Sequence, residues 1–169
     1  MKFEETFDFD HSAATMMRMF TDQDYFLHKY ERLGGGRKPE LVDTQKSDAR
    51  FSITVRHALD ANKLSFPDIV RKRIGDRVML RQTDVWEIAK QSGRIDIDIE
   101  KTPVDIAIDL RLSEHDGKAR LTLNFDIDAQ VPLVGGKIEK AIAGPITDRF
   151  HRDMVLSNEM ASDYAAARS

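Results

Sequence analysis

Residues 95–99 read Ile-Asp-Ile-Asp-Ile, and residues 104–112 read Val-Asp-Ile-Ala-Ile-Asp-Leu-Arg-Leu. Apolar residues alternating with charged or small ones mark a strand with one buried face and one wet face. Lys101-Thr102-Pro103 separates the two runs and supplies a turn. Antiparallel pairing then sets Ile99 opposite Val104 and Ile97 opposite Ile106, so the apolar residues of both runs share a face. A slip by one residue would turn that face to water, which ties the register to the pattern.

The same period extends in both directions. Upstream, Phe51, Ile53, Val55, His57 and Leu59 share one strand face, and Val78, Leu80, Gln82, Asp84, Trp86 and Ile88 share the next. Downstream, Leu121, Leu123, Phe125 and Ile127 complete the set. A turn over 90–93 places Ile88 opposite Ile95 and Trp86 opposite Ile97. A turn over 113–118 places Leu110 opposite Leu121 and Ile106 opposite Phe125. The result is a six-strand antiparallel meander from about residue 40 to about residue 130, with one wet face.

Lys2 to Asp10 adds a strand with Phe3, Phe7 and Phe9 on a face that Glu5 shares. Asp10-His11-Ser12 then offers a cap for a short helix holding Met16, Met17, Met19 and Phe20. Thr21-Asp22 starts a second helix through Phe26, Leu27, Tyr30 and Leu33, which Gly34-Gly35-Gly36 ends. Residues 60–75 break the alternation. They form a loop, expected to be the least ordered internal segment, with Phe66-Pro67-Asp68-Ile69-Val70 as one helical turn. Beyond Pro132, Ile138, Ile142, Ile146, Phe150 and Met154 recur every fourth residue and predict a long helix to about Ala166. Pro145 predicts a kink in it.

Composition narrows the class of protein. The 169 residues are 41% hydrophobic and 33% charged, and 26 Lys+Arg against 29 Asp+Glu leave a net charge of −3. That balance excludes a disordered chain and the basic footprint of a nucleic-acid binder. The length predicts a single domain, 1–169. The absence of cysteine excludes disulfides, thiolate metal sites and a cysteine nucleophile. No run approaches a membrane span, and Met1 to Glu5 open no signal peptide, so the cytoplasm is the expected compartment. The phosphate-loop, zinc-protease and nucleophile-elbow motifs are missing, and the five histidines show no metal-ligand spacing. Neither a metal nor a cofactor is expected.

A single sheet with one apolar face needs a cover, and the last helix is the only element long enough. The order strand, two short helices, six-strand meander, long C-terminal helix resembles the α+β helix-grip fold of the START-like and polyketide-cyclase (SRPBCC) superfamily. The match spans nearly the whole chain. Its most specific piece is Val131-Pro132-Leu133-Val134-Gly135-Gly136-Lys137-Ile138-Glu139-Lys140, which is similar to the strand-to-helix junction of a bacterial branch with no assigned function. The resemblance implies a curved sheet wrapped around the helix, a cavity between them, and a small hydrophobic ligand. Its relatives include coenzyme Q-binding proteins, lipid-transfer domains and aromatase/cyclases. It supplies no general catalytic motif.

The inner face names the candidate site. The apolar wall is Phe51, Val55, Leu80, Trp86, Ile97, Ile108, Phe125, Ile142, Ile146 and Phe150; the polar end is His57, Gln82 and Asp84, with Glu5 beside them. Polar groups in an apolar register need partners, because leaving one unsatisfied costs roughly 1–3 kcal/mol. They either dock a ligand head group or bond to one another and to water. His57 and Asp84 would also make an acid–base pair in which the carboxylate raises the imidazole pKa. Three functions follow: a carrier or sensor of a lipid, isoprenoid or polyketide-like molecule; a cyclase or hydrolase using the same cavity; and a protein-interaction module with a filled core. Arg71-Lys72-Arg73 could give weak contact with a membrane surface. The oligomeric state is left open.

Overall fold

The computed structural model describes residues 1–60, 68, 71–72 and 77–166. The expectations for the loop at 60–75, its disorder and its membrane contact included, fall almost wholly outside the described residues.

The elements are β1 (Lys2–Asp8), α1 (Ala13–Phe20), α2 (Gln23–Leu33), β2 (Glu40–Lys46), β3 (Arg50–Asp60), β4 (Arg77–Glu87), β5 (Ser92–Ile99), β6 (Val104–His115), β7 (Lys118–Ala129) and α3 (Gly135–Ala166). The strands form one seven-stranded sheet in the order β1-β7-β6-β5-β4-β3-β2, and every pair is antiparallel. This is the helix-grip architecture: a meander closed at one edge by β1, with α3 packed against α1, α2 and β7. Ser12 caps α1 by accepting from the Thr15 N–H, and Asp22 caps α2 by accepting from the Asp24 N–H. Gly34 closes α2, its N–H donating to the Tyr30 carbonyl at 2.9 Å.

The β5–β6 register is as the pattern predicts, with Ile97 opposite Ile106. Two other registers differ. On β4, Gln82 rather than Trp86 faces Ile97, and Ile95 faces Asp84 rather than Ile88. On β7, Leu123 rather than Leu121 faces Leu110, and Phe125 faces Ile108. The β6–β7 hairpin is tighter than the predicted turn, because His115 pairs with Lys118 and only Asp116-Gly117 lies between. Both residues have positive φ, 54° and 78°, the signature of a type I′ turn whose twist matches the strands. Both slips are even in number. The faces therefore stay as predicted while the partners change.

The junction from β7 into α3 is held by backbone geometry. A Cβ on Gly135 would lie 2.4 Å from the Ala129 carbonyl oxygen, so only glycine lets the helix begin this close to the strand. Glu139 Oε2 accepts from the Ala129 N–H at 3.0 Å and Oε1 accepts from the chain's N-terminal ammonium at 3.2 Å. One carboxylate thus ties α3 to β7 and to the start of β1. The helix continues through Pro145. Ile138, Ile142, Ile146, Phe150 and Met154 are all buried, and Phe150 meets Phe125 edge-on at 5.4 Å.

Candidate functional site

Every apolar residue expected in the wall is buried: Phe51, Val55, Leu80, Trp86, Ile97, Ile108 and Phe125 on the sheet, and Ile142, Ile146 and Phe150 on α3. His57, Gln82 and Asp84 are buried with them, each at most 6% exposed. Glu5 is not part of the group. It is half-buried on β1 and lines a hollow of about 560 Å³, open to solvent, between β1 and α3, together with Phe7, His151 and Val155.

The three sheet residues form a chain. His57 on β3 and Gln82 on β4 are diagonal neighbours on one face, and Gln82 and Asp84 are two apart on the same strand. Gln82 Nε2 donates to Asp84 Oδ1 at 3.1 Å, which turns Gln82 Oε1 toward His57 Nε2 at 3.2 Å. The imidazole therefore carries its proton on Nε2 and leaves a lone pair on Nδ1. Burial, aided by the positive charge of Arg149, pushes His57 down to about 3, so the ring is neutral. Burial also pushes the Asp84 carboxyl up to about 7, against the pull of Lys29 and of the Gln82 hydrogen bond. The acid–base pair expected from the sequence is not formed. Gln82 stands between His57 and Asp84, and the imidazole pKa falls where the pair would have raised it.

A second polar group faces this chain from the helices. Lys29 of α2 is 3% exposed and pairs with Asp153 of α3 at 3.2 Å. Its ammonium also donates to the Tyr25 hydroxyl at 3.2 Å and lies within 5 Å of the ring centres of Tyr25, Phe26 and Tyr30. Burial pushes Lys29 down, but Asp153, with Tyr25, Tyr30 and Asp84 behind it, holds it well above the usual lysine value. The Tyr25 hydroxyl meets Ser157 Oγ at 2.6 Å, and Ser157 Oγ donates to Asp153 at 3.1 Å. At the far end, Arg149 Nη1 donates to the Leu33 carbonyl at 3.4 Å. The geometry is regular. Tyr25, Lys29 and Leu33 follow every fourth residue along α2, and they meet Ser157, Asp153 and Arg149 taken every fourth residue backward along α3. Two antiparallel helices are stitched by a polar seam inside an otherwise apolar interior.

Between seam and sheet lies a cavity of about 20 Å³, lined by Phe20, Tyr25, Phe26, Lys29, Gln82, Asp84, Trp86, Ile95, Leu110, Leu121, Phe150, Asp153 and Met154. That is room for one water. Gln82, Asp84, Trp86 and Phe150 of the expected site line it; the other expected residues are buried around it without bordering it. Stacked on the sheet side, Tyr30 lies on His57 at 4.1 Å and 13° between planes, and Phe20 lies on Trp86 at 5.4 Å and 2°. Tyr30 was expected only as a packing residue of the second helix, and Lys29, Asp153, Tyr25, Arg149 and Ser157 were not among the residues the sequence pointed to. The signal available was their spacing of four on each helix, beside the apolar stripe. Among the described residues no cluster of histidine and carboxylate groups could hold a metal ion, and no helix is long and apolar enough to cross a membrane.

This architecture is a helix-grip fold. The chain belongs to the family described as a protein of unknown function (DUF2505), whose pattern matches residues 4–159. Its fold is similar to that of a protein from Thermus thermophilus, with 12% identity over 100% of both chains and a TM-score of 0.61. It is similar to an aromatase/cyclase from Streptomyces sp. R1128, with 11% identity over 96% of this chain and 93% of that one, TM-score 0.61. It is similar also to a START superfamily protein from Mycobacterium smegmatis, with 11% identity over 94% and 97%, TM-score 0.54. The comparison with curated proteins gave no match.

Proposed function

We propose that the protein binds a small hydrophobic molecule, of lipid, isoprenoid or polyketide type, between the sheet and α3, and acts as a carrier or sensor. The observation that supports this most is the polar chain His57–Gln82–Asp84 facing the Lys29–Asp153 pair across a void in an apolar interior. A core built for stability alone has no use for such groups, since apolar replacements of like volume are often equal or better. A site that must orient a greasy ligand needs a few fixed polar groups at one end of an apolar wall. The proposed apolar wall is that of the expected site, Phe51, Val55, Leu80, Trp86, Ile97, Ile108, Phe125, Ile142, Ile146 and Phe150, of which Trp86 and Phe150 border the void. The similarity of fold to an aromatase/cyclase and a START superfamily protein is consistent with it.

The volume of about 20 Å³ at the polar cluster favours a second reading, a filled core that serves interaction with another protein. Native mass spectrometry of freshly purified protein separates the two. A carrier shows a co-purified apolar mass that organic extraction removes. A chain that runs at its bare mass, and takes up no added N-phenyl-1-naphthylamine, is the filled-core protein.

A further inference from the structure

Three buried polar atoms in one corner of the interior have no hydrogen-bond partner among the described residues: the Tyr30 hydroxyl, His57 Nδ1 and Arg149 Nη2. They belong together. Tyr30 stacks on His57, and Arg149 reaches the Leu33 carbonyl, less than one helical turn beyond Tyr30. Arg149 is close enough for its charge to depress the His57 pKa, and Tyr30 acts in turn on Arg149. All three side chains are at most 7% exposed. Each open atom costs roughly 1–3 kcal/mol when left so in the dry interior. Tyr30 and His57 are in contact, Arg149 is near enough for its charge to act on His57, and the three open atoms make an unfilled coordination pattern.

We propose that Tyr30, His57 and Arg149, which lie beside the void of about 20 Å³ rather than on its lining, form the head-group receptor of the ligand site, and that its ligand is an apolar hydroxy acid. The inference rests on the ligand-binding reading above and names the chemistry of the ligand. Two of the open atoms are donors, the guanidinium N–H of Arg149 and the hydroxyl of Tyr30. Donors of this kind, one of them charged, match a carboxylate. The third, His57 Nδ1, is an acceptor because its tautomer is fixed by Gln82, and a neutral acceptor beside a carboxylate takes a hydroxyl proton. The charges agree with this assignment. Lys29 and Arg149 are the buried cations, and Asp84 and Asp153 the buried acids, among the described residues. Asp153 is bonded to Lys29 and acts on Arg149 only through its charge, and burial keeps the Asp84 carboxyl from ionising readily, so among the described residues no carboxylate makes an ion pair with Arg149. A ligand carboxylate supplies it. The alkyl or aryl body of the ligand then lies along the apolar wall, away from this corner.

The test uses the full chain and displacement of the neutral dye N-phenyl-1-naphthylamine by 3-hydroxydodecanoic acid, dodecanoic acid and dodecanol. The expected order of affinity follows that sequence, with the hydroxy acid about 10- to 100-fold tighter than the alcohol, the range for hydrogen bonds to a charged group. Arg149→Met should remove most of the advantage of both acids and leave the alcohol where it was. Tyr30→Phe removes one oxygen, keeps the stack on His57, and should weaken both acids severalfold even if the arginine variant does not fold. An alcohol that binds as tightly as the acids, or an acid advantage that survives in both variants, overturns the proposal. A hydroxy acid no tighter than the plain acid overturns the assignment of a hydroxy acid. A chain that never takes up the dye fails earlier, and the ligand-binding reading fails with it.

Discussion

The two sides of the interior obey different rules. Under β5, β6 and β7 the core is Ile95, Ile97, Ile106, Ile108, Leu121, Leu123 and Phe125, all buried, with no polar side chain among them. Under β3 and β4, where α2 and α3 converge, Lys29, His57, Gln82, Asp84, Arg149 and Asp153 are buried as deeply. The apolar side gains from burial in proportion to area, and each side chain contributes nearly independently. The polar side is a network in which every group depends on a partner, so the loss of one strands another. The first kind of core makes a fold. The second costs stability whenever it is incomplete, and it sits where a ligand would be held.

The sharpest way to break the contrast is to remove half of the ion pair. Asp153→Ala strands the buried ammonium of Lys29 and should cost about 3–5 kcal/mol in urea unfolding. The double variant Lys29→Met with Asp153→Leu removes both charges and leaves the Tyr25–Ser157 hydrogen bond in place, so it should recover most of that loss. If the double variant is as unstable as the single one, the seam is not a charge-dependent network but a packing site like the rest.

A second contrast lies in pH. Asp84 holds its proton in the folded chain up to about 7, while its ordinary value is 3.8. Stability from this group is present at low pH and is lost as pH rises through 7. His57 runs the other way. Its folded value of about 3 lies below the ordinary 6.5, so stability is present above 6.5 and is lost as pH falls. Between about pH 5 and 6.5 the two slopes oppose and the wild-type chain should be nearly flat. Asp84→Asn leaves the His57 slope alone, so its stability should climb by about 1 kcal/mol per pH unit across that window. Urea midpoints at three pH values decide it. A variant as flat as the wild type would mean that His57 is not held neutral. The all-apolar side supplies the control: Ile108→Val should lower stability about equally at every pH, by about 1 kcal/mol.

This contrast also explains what could be read without coordinates. The apolar side was legible because its rule is periodic. Alternation fixed which face each strand buries, and Lys101-Thr102-Pro103 between two matched runs fixed Ile97 opposite Ile106. The β4–β5 and β6–β7 partners were misread because a period of two cannot distinguish even slips; only turn chemistry can, and Asp116-Gly117 was the decisive dipeptide. On the polar side, His57, Gln82 and Asp84 stood out as polar residues in an apolar register. Their helix partners did not. Lys29 lies on the buried face of α2 among Tyr25, Phe26 and Tyr30, and only Asp153, distant in sequence, makes its burial tolerable. The spacing of four along each helix is a trace of the seam, but neither segment alone shows which residues of the other it meets.

The smallest expected effect tests whether that dipeptide sets the register of the apolar side. Gly117 has φ of +78° and open space where a Cβ would be, so nothing but backbone conformation resists a side chain there. Gly117→Ala should therefore cost about 1 kcal/mol, the penalty of a left-handed conformation for an L-residue. Gly117→Asn should cost less, because asparagine tolerates that region. Both losses should be independent of pH, and neither should alter binding of any apolar probe, since Asp116-Gly117 lies at the hairpin tip and outside the polar seam. Hydrogen exchange gives the finer reading. Amides of β6 and β7 next to the turn should exchange faster in Gly117→Ala, while those of β3 and β4 stay as in the wild type. A change that reached β3 and β4 would show that the two sides of the interior respond as one unit, and the separation drawn between them would have to be abandoned.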